Sequence, residues 1–487
     1  MRRLSRRRFC AIGFAGGAVI LASCSSAAPA PTPAATTAAP SQAPAAATQA
    51  PAAAPTSAPA AVPTAAPTAA AAASAAGGKQ AALRFGMYTS PLWQEPFEKN
   101  IQAFQEKYPN IKVQIEWQDY AAWVQKIQTA IAAGTVPDVY ILDWVEIYDR
   151  IVGGNIHPLD EYIRRDGVKT DDLYKAVVEW AQLDGKLWAL PLGAPTNAGI
   201  FWYNKDLFDQ AGIKYPDENW TWDNVLEAAP KLLKKDGSGK VEVWPMTVDV
   251  STVGMLPALS WSAGGPGVVT DDYTKAVLTD PVTLERLEFI VSLIQEKKLA
   301  PTPADVQGLG DIFGAGRLAM QPSAPSYLIY GYRSVTKFKW DLTVQPLDPK
   351  TKKRVVPMAP GFFGIYGKSQ NKDESWLLLR WLVGPERDNP SRRSFMAGYG
   401  QIYPAKWATE VDWFLQGQPG RPEHWKLIFD VLGQSKPLPH LWNFREWQTK
   451  ANQELQTAVT GQKTPKEAAE AANKIIQELI DKKPAGR

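Results

Sequence analysis

Cysteine is nearly missing from this chain of 487 residues: there are two, Cys10 and Cys24, both within the first 24 positions. Everything after Cys24 must therefore be held by packing, without a disulfide, a cysteine-bound metal or a thiol nucleophile. Histidine is almost as scarce: the three, at 157, 424 and 440, form no pair at metal-ligand spacing. No Gly-x-Ser-x-Gly elbow occurs, and no glycine-rich loop follows a strand in a phosphate-binding pattern. No apolar run approaches the ~20 residues that a membrane-spanning helix needs. An excess of one charge is also lacking. Against 49 Asp and Glu stand 53 Lys and Arg, and five of those arginines lie in the first eight positions. The remainder carries about one net negative charge, so electrostatics gives no case for a nucleic-acid partner.

The chain begins with a basic stretch, Arg2, Arg3, Arg6, Arg7 and Arg8, followed by a short apolar run over residues 12–21. Ten apolar residues are too few to cross ~30 Å of hydrocarbon but suit a secretory signal. Ser5-Arg6-Arg7-Arg8-Phe9 resembles the twin-arginine export motif, the alternative being the general route. Leu21-Ala22-Ser23-Cys24 resembles a bacterial lipobox; that resemblance implies a lipid on Cys24, whereas an ordinary cleaved signal would leave none. Residues 25–79 are Ala, Pro, Thr and Ser with ten prolines and read as a tether that cannot bury enough apolar surface to fold. Such a segment reaches from about 45 Å as a coil to about 170 Å in extended polyproline form. The expected location of the remaining residues, 80–487, is extracytoplasmic, anchored at the outer face of the cytoplasmic membrane.

From Ala82 the pattern changes. Leu83 to Met87 alternate as a strand. Phe97, Ile101, Phe104 and Tyr108 mark one helical face, ended by Pro109-Asn110. Ile111, Val113, Ile115 and Trp117 alternate again, then Trp123, Ile127 and Ile131 line a helix that Gly134 can terminate. Residues 139–142 form a buried-type strand. This β-α-β-α-β order predicts a layered α/β domain with a mainly parallel sheet. Further on, 200–203 reads as a strand, and 222–233, 284–294 and 376–382 as helices. Thr221 caps the first of these helices. Thr464-Pro465-Lys466-Glu467 is a helix start with cap, first-turn proline and capping-box glutamate.

Several segments, taken together and in order, resemble one family. They are Tyr108-Pro109-Asn110-Ile111-Lys112-Val113, Pro137-Asp138-Val139, Gly154 to Asp160, and Asp184-Gly185-Lys186-Leu187-Trp188-Ala189-Leu190-Pro191. Tyr203-Asn204-Lys205-Asp206-Leu207-Phe208, Thr221-Trp222-Asp223 and Phe313-Gly314-Ala315-Gly316-Arg317-Leu318-Ala319-Met320 complete the set. Over residues 82–481 the chain resembles the extracellular solute-binding proteins of ABC importers, the maltose-binding-protein-like group. The resemblance implies a type II periplasmic-binding-protein fold with two α/β lobes, residues 80–193 with 346–400 and residues 194–345 with 401–487. The lobes would be joined by crossings near Ala194, Gln345 and Gln401 and would close on a solute by hinge motion. It also implies membrane permease subunits as partners. The missing catalytic motifs lead to the expectation of no enzyme activity and no cofactor, and a monomer is expected because nothing in the sequence points to an oligomer.

The aromatic content, with 19 Trp, 16 Tyr and 16 Phe, suits a carbohydrate, whose C–H faces stack on flat rings while its hydroxyls need neutral or acidic partners. The candidate platforms are Trp93, Trp144, Tyr203, Trp261, Tyr327, Phe362 and Trp442. The candidate polar partners are Asp143, Glu146, Asn197 and Arg445. Each has a plainer reading: Asp143 as a helix cap, Arg445 as a partner of Glu446, the aromatics as core. Trp188, Trp202 and Trp381 lie in apolar runs and read as core, and Asn204-Lys205-Asp206 as a structural turn. Competing functions are a receptor for glycerol phosphodiesters or other small polar solutes, a tethered glycoside hydrolase using two facing carboxylates, and a module presenting its ligand to a sensor.

Overall fold

The computed structural model describes residues 79–90, 93–439 and 442–482. The signal, Cys24 and the tether lie outside the described residues. No helix among the described residues is long and apolar enough to cross a membrane.

Ten strands make two five-stranded sheets. In chain order they are β1 (Ala81–Tyr88), β2 (Ile111–Gln118), β3 (Val139–Leu142), β4 (Leu190–Gly193), β5 (Ile200–Asn204), β6 (Lys234–Lys235), β7 (Val241–Met246), β8 (Leu318–Ala324), β9 (Trp340–Val344) and β10 (Gly361–Ile365). The first sheet runs β2-β1-β3-β10-β4 and the second β9-β5-β8-β7-β6. Strands β1, β2 and β3 are parallel, as the β-α-β-α-β order predicts. The late strand β10 then inserts antiparallel between β3 and β4, which a local sequence pattern cannot foresee.

The helices that frame the two sheets include α1 (Gln94–Lys107), α2 (Tyr120–Ala133), α3 (Ile147–Val152), α4 (Trp222–Leu232), α5 (Pro281–Gln295), α6 (Phe444–Val459) and α7 (Pro465–Asp481). Their ends follow local chemistry. Gly134 closes α2 in the left-handed region at φ 69°. Thr221 and Asn224 form a capping box on α4, and Thr464 and Glu467 do so on α7.

Each sheet has its own aromatic core. In the first, Phe97 of α1 packs against Phe85, Phe363 and Phe395. In the second, fully buried Trp202 packs against Tyr332 and Trp340. Helix α6 belongs with the second sheet's half: it packs on α5 and α7, and Asn452 accepts from the Thr252 N–H at 2.9 Å.

The chain leaves the first sheet after Gly193, enters the second at Ile200, leaves it after Val344 and returns at Gly361. These passages bond to each other. The Gln345 N–H donates to Gly199 O at 2.7 Å, Asn197 N–H to Pro357 O at 2.9 Å, and Ala194 N–H to Ile402 O at 3.0 Å. Gly199 sits at φ +118°, and a Cβ there would lie 2.8 Å from Val356 Cγ1, so only glycine fits without displacement. Beside the passages, Arg392 is fully buried. Its Nη1 donates to Leu192 O at 2.9 Å and to Gln401 Oε1 at 2.7 Å, and its Nη2 donates to Leu382 O.

Candidate functional site

Tyr88 ends β1, Tyr120 opens the helix after β2, and Asp143 follows β3. These are the carboxyl ends of three neighbouring parallel strands, where layered α/β folds place ligands. The Tyr88 ring meets Tyr120 edge-on at 5.1 Å and Trp93 at 5.7 Å. Trp93 in turn meets Tyr330 edge-on at 6.3 Å. Since Tyr330 follows β8 of the second sheet, this aromatic group joins both halves. Burial raises the phenol pKa values of Tyr88 and Tyr120, reinforced by the Asp143 charge, and burial pushes Tyr330 up to about 12. All three therefore remain neutral hydroxyls at ordinary pH.

The polar part of the site is a four-group cluster. Tyr120 Oη donates to Asp143 Oδ2 at 2.6 Å, and Arg445 Nη2 lies 3.0 Å from the same oxygen. Arg445 Nη2 also lies 3.2 Å from Glu146 Oε1, while its Nη1 donates to Tyr120 Oη at 3.1 Å. The other Glu146 oxygen, Oε2, takes Arg150 at 2.7 Å. Burial disfavours the Arg445 charge, but Asp143, Tyr120 and Glu146 outweigh it and hold its pKa above the usual arginine value. Glu146 is thus held between two arginines and is nearly buried, whereas Asp143 has its anchoring bonds on Oδ2. A cavity of about 360 Å³ adjoins the cluster, lined in part by Gln128, Glu146, Asp149, Asn443, Arg445 and Thr449.

Of the residues expected from sequence, Trp93, Asp143, Glu146 and Arg445 are brought into this region. Trp144 is beside it, but its ring is flanked edge-on by Phe444 at 5.2 Å and Trp180 at 6.0 Å. Half-buried Trp442 lies on the same approach to α6. Asn197 and Tyr327 sit together by another route: neighbouring Thr196 and Ser326 exchange bonds of 2.8 and 3.1 Å.

Three expected platforms are instead core side chains. Tyr203 is 2% exposed and packs on Phe201, Phe208 and Tyr215. Phe362 is 0% exposed, paired in register with Leu142 and Pro191. Trp261 is buried, with its indole N–H on Pro266 O at 3.0 Å and the Lys436 ammonium 5.0 Å above its ring. In each case sheet or loop packing covers the ring that sequence position placed near a cleft. Arg445 reaches Asp143 and Glu146 and not its neighbour Glu446, which pairs with Lys450. Sequence reasoning missed Tyr88, Tyr120 and Tyr330, although the strand-end positions of the first two were the available signal.

Among the described residues one mixed group has metal-ligand chemistry: Asp341, Glu423 and His424. Its pairings are already internal, His424 Nδ1 to Asp341 Oδ2 at 2.7 Å and Glu423 to Lys205 at 3.3 Å. They account for the buried Asp341 carboxylate without an ion.

Comparison with known proteins gives one answer. A model of the bacterial extracellular solute-binding protein family matches residues 90–387. A binding protein of Brucella abortus is 28% identical over 294 residues, 59% of this chain and 68% of that protein. A maltooligosaccharide ABC transporter solute-binding lipoprotein of Streptococcus pneumoniae is 24% identical over 420 residues, 83% of this chain and 91% of that protein. The fold is similar to that of an ABC substrate-binding protein from Listeria monocytogenes solved with cycloalternan. The TM-score is 0.72 at 22% identity, covering 83% of this chain and all of the other.

Proposed function

The chain belongs to the bacterial extracellular solute-binding protein family, and from that premise we propose that it is the receptor of an ABC importer for a carbohydrate, of oligosaccharide size. The observation that carries this reading is the strand-end site: the aromatic group of Tyr88, Trp93, Tyr120 and Tyr330 beside an anchored carboxylate, Asp143. Flat rings take the apolar face of a pyranose. Asp143 accepts from a sugar hydroxyl through Oδ1, while Oδ2 keeps its protein partners. Neutral phenols and a carboxylate favour hydroxyls over phosphate, which would call for free cations or a helix N-terminus. The saccharide named for the Streptococcus pneumoniae relative and the cycloalternan bound by the Listeria monocytogenes protein support the class.

In this reading solute binds between the two halves, which close by rotation about the passages at 194–199, 345–360 and near Gln401. Asn197, Tyr327 and Trp442 are secondary contacts. The protein is exported and held by lipid on Cys24, and hands its solute intact to membrane permease subunits. The test is thermal unfolding of the mature protein against linear and cyclic oligosaccharides, polyols and glycerol phosphates. A ligand at 100 times its Kd adds about 2.7 kcal/mol to stability. A shift with one saccharide class and an unaltered saccharide afterwards supports the receptor. A response only to phosphates or polyols overturns the substrate class, and cleavage of the sugar overturns the receptor.

A further inference from the structure

Four successive groups around α3 meet the start of α6 from the other half of the molecule. Asp143 and Glu146 take Arg445 from 302 and 299 residues away in sequence. The Trp144 ring meets Phe444, and the Asp149 carboxylate faces the Asn443 backbone. Asn443 is held at φ 55°, a left-handed conformation that turns the chain into α6 and aims Arg445 back across the seam. The adjoining cavity is lined by residues of both sides.

The charges on the two sides are unequal. Arg445 is the α6 cation that reaches across, facing two carboxylates and a phenol, while Lys450 of α6 also lines the cavity but is held by Glu446 on its own helix. Arg150 neutralises Glu146 from within its own helix, so Glu146 keeps a partner when the halves part. Asp143 keeps the Tyr120 hydroxyl. Separation of the halves therefore leaves neither of the carboxylates that Arg445 grips without a hydrogen-bond donor, and the link can break and re-form. With the Arg445 side chain 36% exposed, the bond is reachable by water and salt, unlike a deeply buried pair.

We propose that Arg445 is a positioning residue that clasps the two halves together through Asp143 and Glu146, so that the carboxylate offered to the solute is fixed by closure itself. This rests on the carbohydrate reading for its second half only. Arg445 acts on the solute through Asp143: bound to Oδ2, it orients Oδ1 toward the site, and solute on Oδ1 in turn favours the clasped arrangement.

The experiment uses the mature protein with a donor and acceptor dye, one on each half, in the wild type and in Arg445→Met, Arg445→Lys and, as a control outside the clasp, Glu446→Gln. Distance distributions are recorded without saccharide over 20 to 500 mM salt, alongside maltotriose titrations and melting curves. The expected result is that wild type shifts toward separated halves as salt rises. Arg445→Met is separated at all salt concentrations and salt-independent, Arg445→Lys recovers part of the closed population, and Glu446→Gln matches wild type. Maltotriose affinity should fall about tenfold in Arg445→Met with no more than a small drop in the melting midpoint. Identical distance distributions in wild type and Arg445→Met at every salt concentration would overturn the clasp. Separated halves in Arg445→Met with unchanged maltotriose affinity would overturn the coupling to solute. Absence of maltotriose binding to wild type bears on the substrate reading alone, since the distance measurement still decides the clasp.

Discussion

Arg392 and Arg445 lie in regions that treat the same side chain in opposite ways. Arg392, beside the passages between sheets, is fully buried, and it meets carbonyl and amide oxygens and the rings of Phe395 and Tyr403. Burial there lowers its pKa to about 10. Arg445, at the seam, is partly exposed, and its carboxylate partners hold its pKa up despite burial. A guanidinium among neutral acceptors in a dry site cannot leave without stranding them. One between ionised carboxylates near water can exchange partners. The first suits a fixed joint and the second a contact that is made and broken.

The comparison breaks most sharply at Arg392. Arg392→Met is expected to lose about 3 kcal/mol, because Leu192 O, Leu382 O and Gln401 Oε1 are left buried without donors. Chemical denaturation at neutral pH reads this directly, and a loss under about 1 kcal/mol would make the two arginines energetically alike.

Next comes Asp149, on the seam side. Burial raises its carboxyl to about 6, against the ordinary 3.8, although the Asn443 backbone and Arg150 pull it down. A raised carboxyl pKa means that the native chain binds the proton more tightly than the unfolded one. The stabilisation is therefore whole below pH 4 and is lost as pH rises through about 6. Asp149→Asn should remove that window and leave the protein on the order of 2 kcal/mol more stable than wild type at pH 7.5. Parallel melting curves of the two proteins from pH 4 to 7.5, with no change in their difference, would contradict it.

Arg445→Met should lower folding stability by no more than about 1 kcal/mol, since partly exposed ion pairs contribute little. A loss as large as that of Arg392→Met would turn the clasp into a structural bond. Smallest of all is Tyr203→Phe: with its ring in the core, saccharide affinity should stay within about twofold, as isothermal titration would record.

Much of the fold was legible in the sequence because its signals are local. Phe97, Ile101 and Phe104 sit on one helical face whatever lies beyond them, and Thr464 with Glu467 starts a helix from four residues alone. The insertion of β10 beside β3 depends on residues more than 200 positions apart, and no periodicity carries that. The site divides in the same way. Asp143 and Arg445 were each legible as polar groups at element ends, but their pairing was not. Tyr203 and Phe362 looked like platforms because an aromatic on a strand reads identically whether its face is covered by a helix or open to a cleft. Tyr88 and Tyr120 were hidden by the converse problem, since strand ends are places that sequence alone marks only to within a few residues.

Gly199 gives the architecture a separation of duties. Tyr88, Trp93, Tyr120 and Asp143, which carry the solute site in this reading, lie at strand ends of the first sheet, away from the spot where Gln345 bonds to Gly199. Clearance at that spot is set by hydrogen atoms, with Val356 and Val431 waiting within 3.2 Å of any methyl group placed there. In the closure proposed here the joint and the solute contacts are separate parts, so a single methyl at Gly199 would alter the motion while leaving Tyr88, Trp93, Tyr120 and Asp143 in place.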